Sequence, residues 1–231
     1  MKGIFIAGTD TGVGKTIITG LLAKYLCDAG HNVITQKWIQ TGSPGFKSSD
    51  VMAHLRIAGF DRKKTQKYSD LMLPYVFKTP CSPHLASCIE KREINRVKII
   101  KSFRQLSRDF DFVLVEGVGG TLVPYNKKDL VVDIAARLKL PVLIVAQNKL
   151  GAINHTLLTI EALKKRKIRI LGLIFNDIRN EKRRILEDNP RIVKALTKEK
   201  LFGVLPREKR LKKLYAKFLP MGKRLKKELK I

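Results

Sequence analysis

Residues 8–16, which read Gly-Thr-Asp-Thr-Gly-Val-Gly-Lys-Thr, constrain this chain more than any other segment. They follow an apolar run at 3–7 and precede a helical pattern at 17–29. A strand, a glycine-rich turn and Gly-Lys-Thr opening a helix make a phosphate-binding loop, because backbone N–H groups and the positive helix end both face an anion. The sequence therefore predicts a nucleotide phosphate site at Gly12, Val13, Gly14, Lys15, Thr16 and Ile17.

This loop is one residue longer than the common form. The common pattern has a glycine five positions before Gly14, where this chain has Thr9, and the nearest earlier glycine is Gly8. Within the loop, Lys15 adds a full charge and the Thr16 hydroxyl can ligate magnesium. The longer form resembles the nucleotide loop of ATP-dependent amide, lactam and ureido-ring-forming ligases.

Strand-like and helical patterns alternate along the rest of the chain. The alternation predicts an α/β fold, a doubly wound and mostly parallel sheet with helices on both faces, like that of P-loop NTPases. We expect a single domain over 1–231 with a basic C-terminal tail from roughly 207. The strand-like runs are 3–7, 33–37, 112–116, 141–146, 168–175 and 201–206, and the helical patterns are 17–29, 50–57, 94–110, 131–138 and 150–163.

Charged side chains stand where two of the predicted strands end. Lys37 ends the second strand, and Glu116 ends the apolar run 112–116 before a glycine turn. Open parallel sheets bind ligands at the carboxyl ends of their strands, so Lys37 is either a site cation or a solvated strand-end lysine. Glu116 fits a magnesium carboxylate better than a surface side chain, and Asp50 is either a helix N-cap or a third magnesium ligand beside Thr16.

Two further segments lie at the same predicted edge. Residues 150–155 lead into a helix and leave free backbone donors for an anionic group. Asn176 and Asp177 follow the strand at 168–175, where an amide side chain can read a base edge. A Gly/Ser/Pro-rich loop is expected at 42–49, and a short helix is expected from Ser82.

The charge balance is unusual, with 47 Lys and Arg against 20 Asp and Glu and a formal net charge of +27. Such a surplus suggests a polyanionic partner. However, the basic residues are spread along the chain with a concentration after Arg179, and no set of stacking aromatic residues accompanies them. The sequence therefore does not favour nucleic acid as a partner, and a thermophile-like surface accounts for only part of the surplus.

Cysteine usage and the N-terminal segment favour a cytoplasmic protein without disulfides. Cys27, Cys81 and Cys88 form no Cys-x-x-Cys pair, and we expect small buried thiols rather than a metal cluster around His84. The opening apolar run is too short for a membrane span and leads directly into the phosphate loop.

Taken together, the chain resembles the dethiobiotin synthetase family. The motifs that carry the resemblance are spread over about nine-tenths of the chain. They are Gly8-Thr9-Asp10-Thr11, Lys37 to Thr41-Gly42, Ser82-Pro83-His84, Glu116-Gly117 to Gly119-Gly120, Leu150-Gly151 with Ile153-Asn154-His155, Asn176-Asp177, and Gly203 to Pro206.

The resemblance implies ATP- and Mg²⁺-dependent closure of a ureido ring, in which diaminopelargonate and carbon dioxide become dethiobiotin. It assigns Lys15 and Lys37 to the transferred phosphoryl group, and Thr11 and Thr41 to a carbamate intermediate. It also implies a homodimer with the substrate's tail at the subunit interface. The implied substrate-binding segment is Leu150, Gly151, Ala152, Ile153 and Asn154, and the implied nucleotide contacts beyond the loop are Asp50, Glu116, Gly117, Val118, Gly119, Asn176, Asp177, Leu205, Pro206 and Arg207.

One departure from the family pattern puts the presentation of Lys37 in question, because Trp38 stands where the family usually has proline. Two alternatives remain open at this point. A cobyrinate-type amidoligase shares the elongated loop but normally carries a glutaminase domain, for which too few residues follow Gly203. A DNA-binding nucleotide switch of the partition type usually carries an extra lysine early in the loop, and residues 8–12 contain none.

Overall fold

The computed structural model describes residues 2–44, 48–178 and 180–231, and these form eight strands and ten helices. The strands are β1 (Gly3–Gly8), β2 (Val33–Lys37), β3 (Ile39–Gln40), β4 (Tyr75–Val76), β5 (Phe112–Glu116), β6 (Val142–Gln147), β7 (Ile170–Asn176) and β8 (Leu201–Leu205). The helices are α1 (Lys15–Asp28), α2 (Ser49–Ala58), α3 (Arg62–Gln66), α4 (Ser69–Met72), α5 (Pro83–Ile89), α6 (Arg96–Asp109), α7 (Val131–Arg137), α8 (Ala152–Lys165), α9 (Arg183–Thr197) and α10 (Leu211–Leu229).

Six of the strands form one sheet in the order β2-β5-β1-β6-β7-β8. Each described pairing within this sheet is parallel, so the predicted doubly wound α/β fold is confirmed. The carboxyl ends of β1, β2 and β5 lie side by side at one edge, which brings the phosphate loop, Lys37 and Glu116 together. A second, two-stranded sheet pairs β3 with β4, and strands this short give no sequence signal.

The sheet is covered on both faces, which explains why its strands are apolar along their whole length. Along β1 the side chains alternate between two cores, with Ile4 and Ile6 in one core and Phe5 and Ala7 in the other. Helices α1 and α10 cover the first core, and α6, α7 and α8 contribute to the second. None of the helices in the described ranges is long and apolar enough to cross a membrane.

The structure differs from the sequence expectation most after residue 180. The expected basic tail contains α10, whose side chains Phe218, Met221, Leu225 and Leu229 are buried in the first core. Its lysines and arginines therefore belong to the outer side of a packed amphipathic helix, a pattern that the frequency of charged residues obscures. The loop expected at 42–49 is non-helical at 42–44 and at Ser48, and residues 45–47 lie outside the described residues. Helix α2 begins at Ser49, the last residue of the expected loop.

Candidate active site

The phosphate loop joins β1 to α1 at the carboxyl edge of the sheet. Gly14 precedes the first residue of α1 with φ 96°, a left-handed conformation that side chains other than glycine adopt at a cost. A Cβ atom placed on Gly14 would lie 2.0 Å from Nδ2 of Asn176. That amide donates to the carbonyl oxygen of Val13 at 3.1 Å, so the end of β7 closes directly on the loop.

Lys15 folds back over the loop and is 6% exposed. Its ammonium group donates to the carbonyl oxygens of Asp10 at 2.9 Å and Gly119 at 2.7 Å. Burial, with the nearby positive charge of Lys37, lowers the pKa of Lys15 to about 8. The side chain is therefore fixed at the centre of the site with few solvent contacts, which suits it to an anionic ligand.

Lys37 and Glu116 form the last pair of the β2–β5 ladder. The Lys37 ammonium lies 2.7 Å from Oε1 of Glu116 and 2.9 Å from Oδ2 of Asp50, and it donates to the carbonyl oxygen of Gly117 at 2.9 Å. Lys37 is 3% exposed and Glu116 is 2% exposed. The interpretation of Lys37 as a solvated strand-end lysine is therefore wrong, and so is that of Glu116 as a surface side chain.

The charges of this cluster hold each other in ionised form. Burial opposes ionisation of Glu116, but the charge of Lys37 and the hydrogen bond from His54 outweigh it and lower its pKa to about 2. Burial likewise opposes the charge on Lys37, and the two carboxylates outweigh it and raise its pKa. Both groups are thus charged at neutral pH although they are almost fully buried.

Thr16, Asp50 and Glu116 meet as predicted for a magnesium site. The Thr16 hydroxyl lies 3.2 Å from Oδ1 of Asp50 and 3.1 Å from Oε1 of Glu116. The N-cap of α2 is Ser48, whose hydroxyl accepts from the backbone of Val51, so the N-cap interpretation of Asp50 is wrong. Two carboxylates and a hydroxyl are the hard oxygen donors that Mg²⁺ prefers beside nucleotide phosphates, so these residues fit that ion.

Sequence reasoning missed His54, which is fully buried beneath the carboxylates. Its Nε2 lies 2.6 Å from Oε2 of Glu116. The signal that could have found it is its spacing, because His54 follows Asp50 by four residues on α2 and so shares a helix face with it.

Trp38 does not displace Lys37 from the site. It is 1% exposed, packs in the second core against Phe5 with ring centroids 5.2 Å apart, and donates from Nε1 to Oε1 of Gln36 at 2.8 Å. The Lys37 ammonium meanwhile lies among the carboxylates. The Trp38 side chain therefore contributes to the packing of the second core.

A cleft of about 660 Å³ opens beside this cluster. Sequence reasoning had not singled out Gln40, Pro80, Cys81 or Val123 for it. Its lining residues are Thr11, Gly12, Lys15, Thr16, Lys37, Gln40, Thr41, Gly42, Asp50, Pro80, Cys81, Ser82, Pro83, Val118, Gly119 and Val123.

The remaining expected site residues lie outside this cleft. Gly151 precedes α8 in a left-handed conformation, and Leu150 beside it is 76% exposed. At the other side of the loop, the backbone N–H of Asp177 donates to the carbonyl oxygen of Leu205 at 2.9 Å. The Leu205 side chain is fully buried, so it offers a ligand only its backbone, whereas Arg207 is exposed.

The three cysteines are free thiols. The expectation that all are buried is wrong for Cys88, which is exposed, while Cys27 and Cys81 are half-buried. In the described part of the chain, no three His, Cys, Asp and Glu side chains group as a metal site.

The chain is similar in sequence to known proteins. A family model described as an AAA domain matches residues 2–214. The chain is 43% identical over 175 residues to the ATP-dependent dethiobiotin synthetase BioD 2 of Pasteurella multocida (strain Pm70), a match that spans 76% of this chain and 81% of that protein. It is 38% identical over 208 residues to the ATP-dependent dethiobiotin synthetase BioD of Chlorobaculum tepidum, spanning 89% and 86% respectively.

The fold is also found in solved structures of low sequence similarity. The pNOB8 ParA protein bound to nonspecific DNA superposes with a TM-score of 0.61, covering 99% of this chain and 98% of that one. The two sequences are 16% identical, so this likeness concerns the fold alone.

Proposed function

The chain belongs to the family of ATP-dependent dethiobiotin synthetases, and on this basis we propose that the ring closure takes place in the cleft beside residues 8–16. The family's enzymes are ligases of biotin biosynthesis that consume ATP. The observation that supports the location is the cluster of Lys15, Lys37, Asp50 and Glu116, which lies where the phosphate loop borders the open cleft.

The reaction joins two amines of diaminopelargonate through one carbon. One amine adds to carbon dioxide and loses a proton to form a carbamate, whose oxygen attacks the γ-phosphorus of ATP while ADP leaves. The second amine then attacks the carbamate carbon, phosphate leaves, and loss of a proton completes the ureido ring. Negative charge on the transferred phosphoryl group must be stabilised in the first displacement, and negative charge on the departing phosphate in the second.

Lys15 and Lys37 supply positive charge at that point. Both ammonium groups are fixed by backbone carbonyl oxygens, so little reorganisation is needed when a phosphate enters. Lys37 faces the cleft from β2 and Lys15 faces it from the loop, which suits them to opposite sides of a phosphoryl group. Their burial strengthens the attraction, because the surroundings screen charge weakly.

Magnesium would be held by Thr16, Asp50 and Glu116, whose oxygens already converge. When bound there, the ion would supply positive charge that neutralises the negative charge developing on the nucleotide phosphates. Removing it with a chelator should abolish turnover while leaving the folded chain intact, since the carboxylates are balanced by Lys37 in its absence.

Thr11 and Thr41 line the cleft and would hold the carbamate by hydrogen bonds. We further propose a homodimer in which residues 150–154 receive the substrate carboxylate at the N-terminus of α8 from the neighbouring subunit's side; Leu150, Gly151 and Asn154 of this segment are exposed, whereas Ala152 is buried. Asn176, Asp177 and residues 205–207 would frame the adenine on the far side of the loop. The proposed setting is the cytoplasm, with no nucleic acid required.

The proposal is tested by incubating the purified chain with diaminopelargonate, bicarbonate and Mg-ATP and identifying dethiobiotin by mass spectrometry. Dethiobiotin and ADP should appear in equal amounts. ATP hydrolysis at the same rate without diaminopelargonate would contradict the proposal. Nucleotide-dependent retention of DNA in a gel-shift titration would instead support a partition-type switch, and that binding should weaken steeply with salt.

A further inference from the structure

Among the described residues His54 has one polar contact, and that contact is to a residue of the proposed magnesium site. Its Nε2 lies 2.6 Å from Oε2 of Glu116. The other oxygen of Glu116, Oε1, lies 2.7 Å from the Lys37 ammonium, so the side chain is an ion-paired carboxylate and can only accept. The hydrogen therefore lies on Nε2, and the imidazole is the donor.

The other ring nitrogen shows that this contact has a cost. Nδ1 of His54 is buried and has no hydrogen-bond partner among the described residues. Buried polar atoms are nearly always paired, and an unpaired one typically costs about 1–3 kcal/mol. A leucine or methionine would fill the same space on α2 without that cost, so packing alone does not explain a histidine here.

The hydrogen bond divides the two oxygens of Glu116 between different tasks. Oε2 is held by His54, whereas Oε1 lies 2.7 Å from the Lys37 ammonium and 3.1 Å from the Thr16 hydroxyl. Rotation of the carboxylate would require breaking the His54 contact in a fully buried place. The imidazole therefore fixes which oxygen faces the cleft and at what angle.

Helix α2 also couples the two carboxylates. Asp50 lies in its first turn and His54 lies one turn later, so one rigid element carries a proposed metal ligand and the donor that orients the other ligand. A shift of α2 would move both together.

We propose that His54 is a positioning residue for Glu116: by donating to Oε2 it directs Oε1 towards the magnesium ion that accompanies the nucleotide. The inference rests on the proposed function, since it assigns Glu116 to that ion. Partners of metal ligands commonly change metal affinity about 10- to 100-fold when they are removed.

The experiment compares His54→Gln with His54→Met in the full chain. The two side chains have nearly the same length and shape, but only glutamine carries a donor at the position of Nε2. ATP binding is measured by calorimetry with and without MgCl₂, and the quantity of interest is the factor by which Mg²⁺ tightens ATP binding. We expect His54→Met to reduce this factor about tenfold and His54→Gln to keep it within about threefold of the parent chain.

ATP affinity without Mg²⁺ should be alike in all three proteins. Equal Mg²⁺ effects in the methionine and glutamine variants would overturn the proposal, and so would an equal loss of ATP affinity with and without the ion, which indicates general damage. If the methionine variant does not fold, His54→Asn replaces it, because asparagine is too short to reach Oε2 and should show the same loss. The binding measurement needs no diaminopelargonate. The role of His54 can therefore be refuted while the parent chain still forms dethiobiotin, and the role of His54 can be supported even if no dethiobiotin forms.

Discussion

Lys37 and Glu116 face each other across the last rung of the β2–β5 ladder, with the ammonium nitrogen 2.7 Å from Oε1. The same ammonium lies 2.9 Å from Asp50, so one lysine balances two carboxylates. The site thus contains its own countercharge before any ligand arrives. Under the proposed assignment, a ligand that brings Mg²⁺ to the carboxylates would also make the lysine available to the phosphoryl group.

Lys37→Gln should lower the rate of dethiobiotin formation at least about 100-fold, because a fixed charge at the transferred group is lost. It should also destabilise the fold by about 3–5 kcal/mol, since two buried carboxylates lose their partner. Lys24→Gln is the matched control, because its ion pair with Asp28 is exposed and should contribute less than about 1 kcal/mol. Near-normal turnover in Lys37→Gln would show that the assigned role is wrong.

Gly14→Ala should strongly weaken ATP binding, because the new methyl group would lie 2.0 Å from Nδ2 of Asn176 and displace that amide from the Val13 carbonyl oxygen in the loop. Gly30→Ala provides the comparison, since Gly30 has a similar φ of 89° with nothing within 4 Å of the added atom. That variant should lose only about 1–2 kcal/mol to backbone strain and bind ATP normally. Calorimetric titration of both variants with ATP separates the effect of backbone strain from the effect of the contact with Asn176. Normal ATP binding by Gly14→Ala would show that the contact with Asn176 does not matter for binding.

ATP affinity should fall as pH rises through about 8, the lowered pKa of Lys15 in the unliganded chain. At pH 9 about one molecule in ten carries the charged side chain, so affinity should be roughly tenfold weaker than at pH 7.

The contribution of Lys15 to folding stability changes with pH in the opposite direction to the ATP affinity. The pKa of Lys15 is lower in the folded than in the unfolded chain, so its contribution to stability increases with pH between about 8 and 10.5. Thermal unfolding of the parent chain and Lys15→Met over this range isolates that contribution. For the predicted fall in ATP affinity, the contradicting result would be an affinity that stays constant from pH 7 to pH 9.

Phe218→Ala should destabilise the fold by about 3–5 kcal/mol, because Phe218 on α10 is fully buried in the first core. Leu219→Ala on the same helix should cost less than about 1 kcal/mol, since Leu219 is 41% exposed. Urea unfolding followed by the emission of Trp38, the single tryptophan, measures both values. If the two variants are equally stable, α10 does not pack as described.

Sequence patterns predicted the parallel sheet because its strands are short apolar runs, and a helical pattern separates all of these runs except 168–175 and 201–206, between which the structure has α9. They also predicted that Thr16, Lys37 and Glu116 would meet, because parallel strands end at one edge. They did not predict α10, whose many lysines hide four buried apolar side chains, or β3 and β4, which are too short to show a period.

His54 was missed for a different reason. A histidine on a helix is ordinary until the residue opposite it is known, and Glu116 lies on a distant part of the chain. The N-cap assignment of Asp50 failed because Ser48, two residues earlier, satisfies the helix instead. Contacts between segments that are far apart in the sequence determine the roles of residues such as His54, and a local sequence pattern does not reveal those contacts.

The packing of α10 against α1 has a consequence for how this protein is made. Gly222 lies against the ring of Tyr25, the Tyr215 hydroxyl donates to Asp28, and Lys24 lies over the ring of Tyr215. The helix that follows the phosphate loop is therefore synthesised early, but its outer surface is covered only after the most distant helix has left the ribosome. During translation the nucleotide loop is therefore complete in sequence before α1 gains its packing against α10.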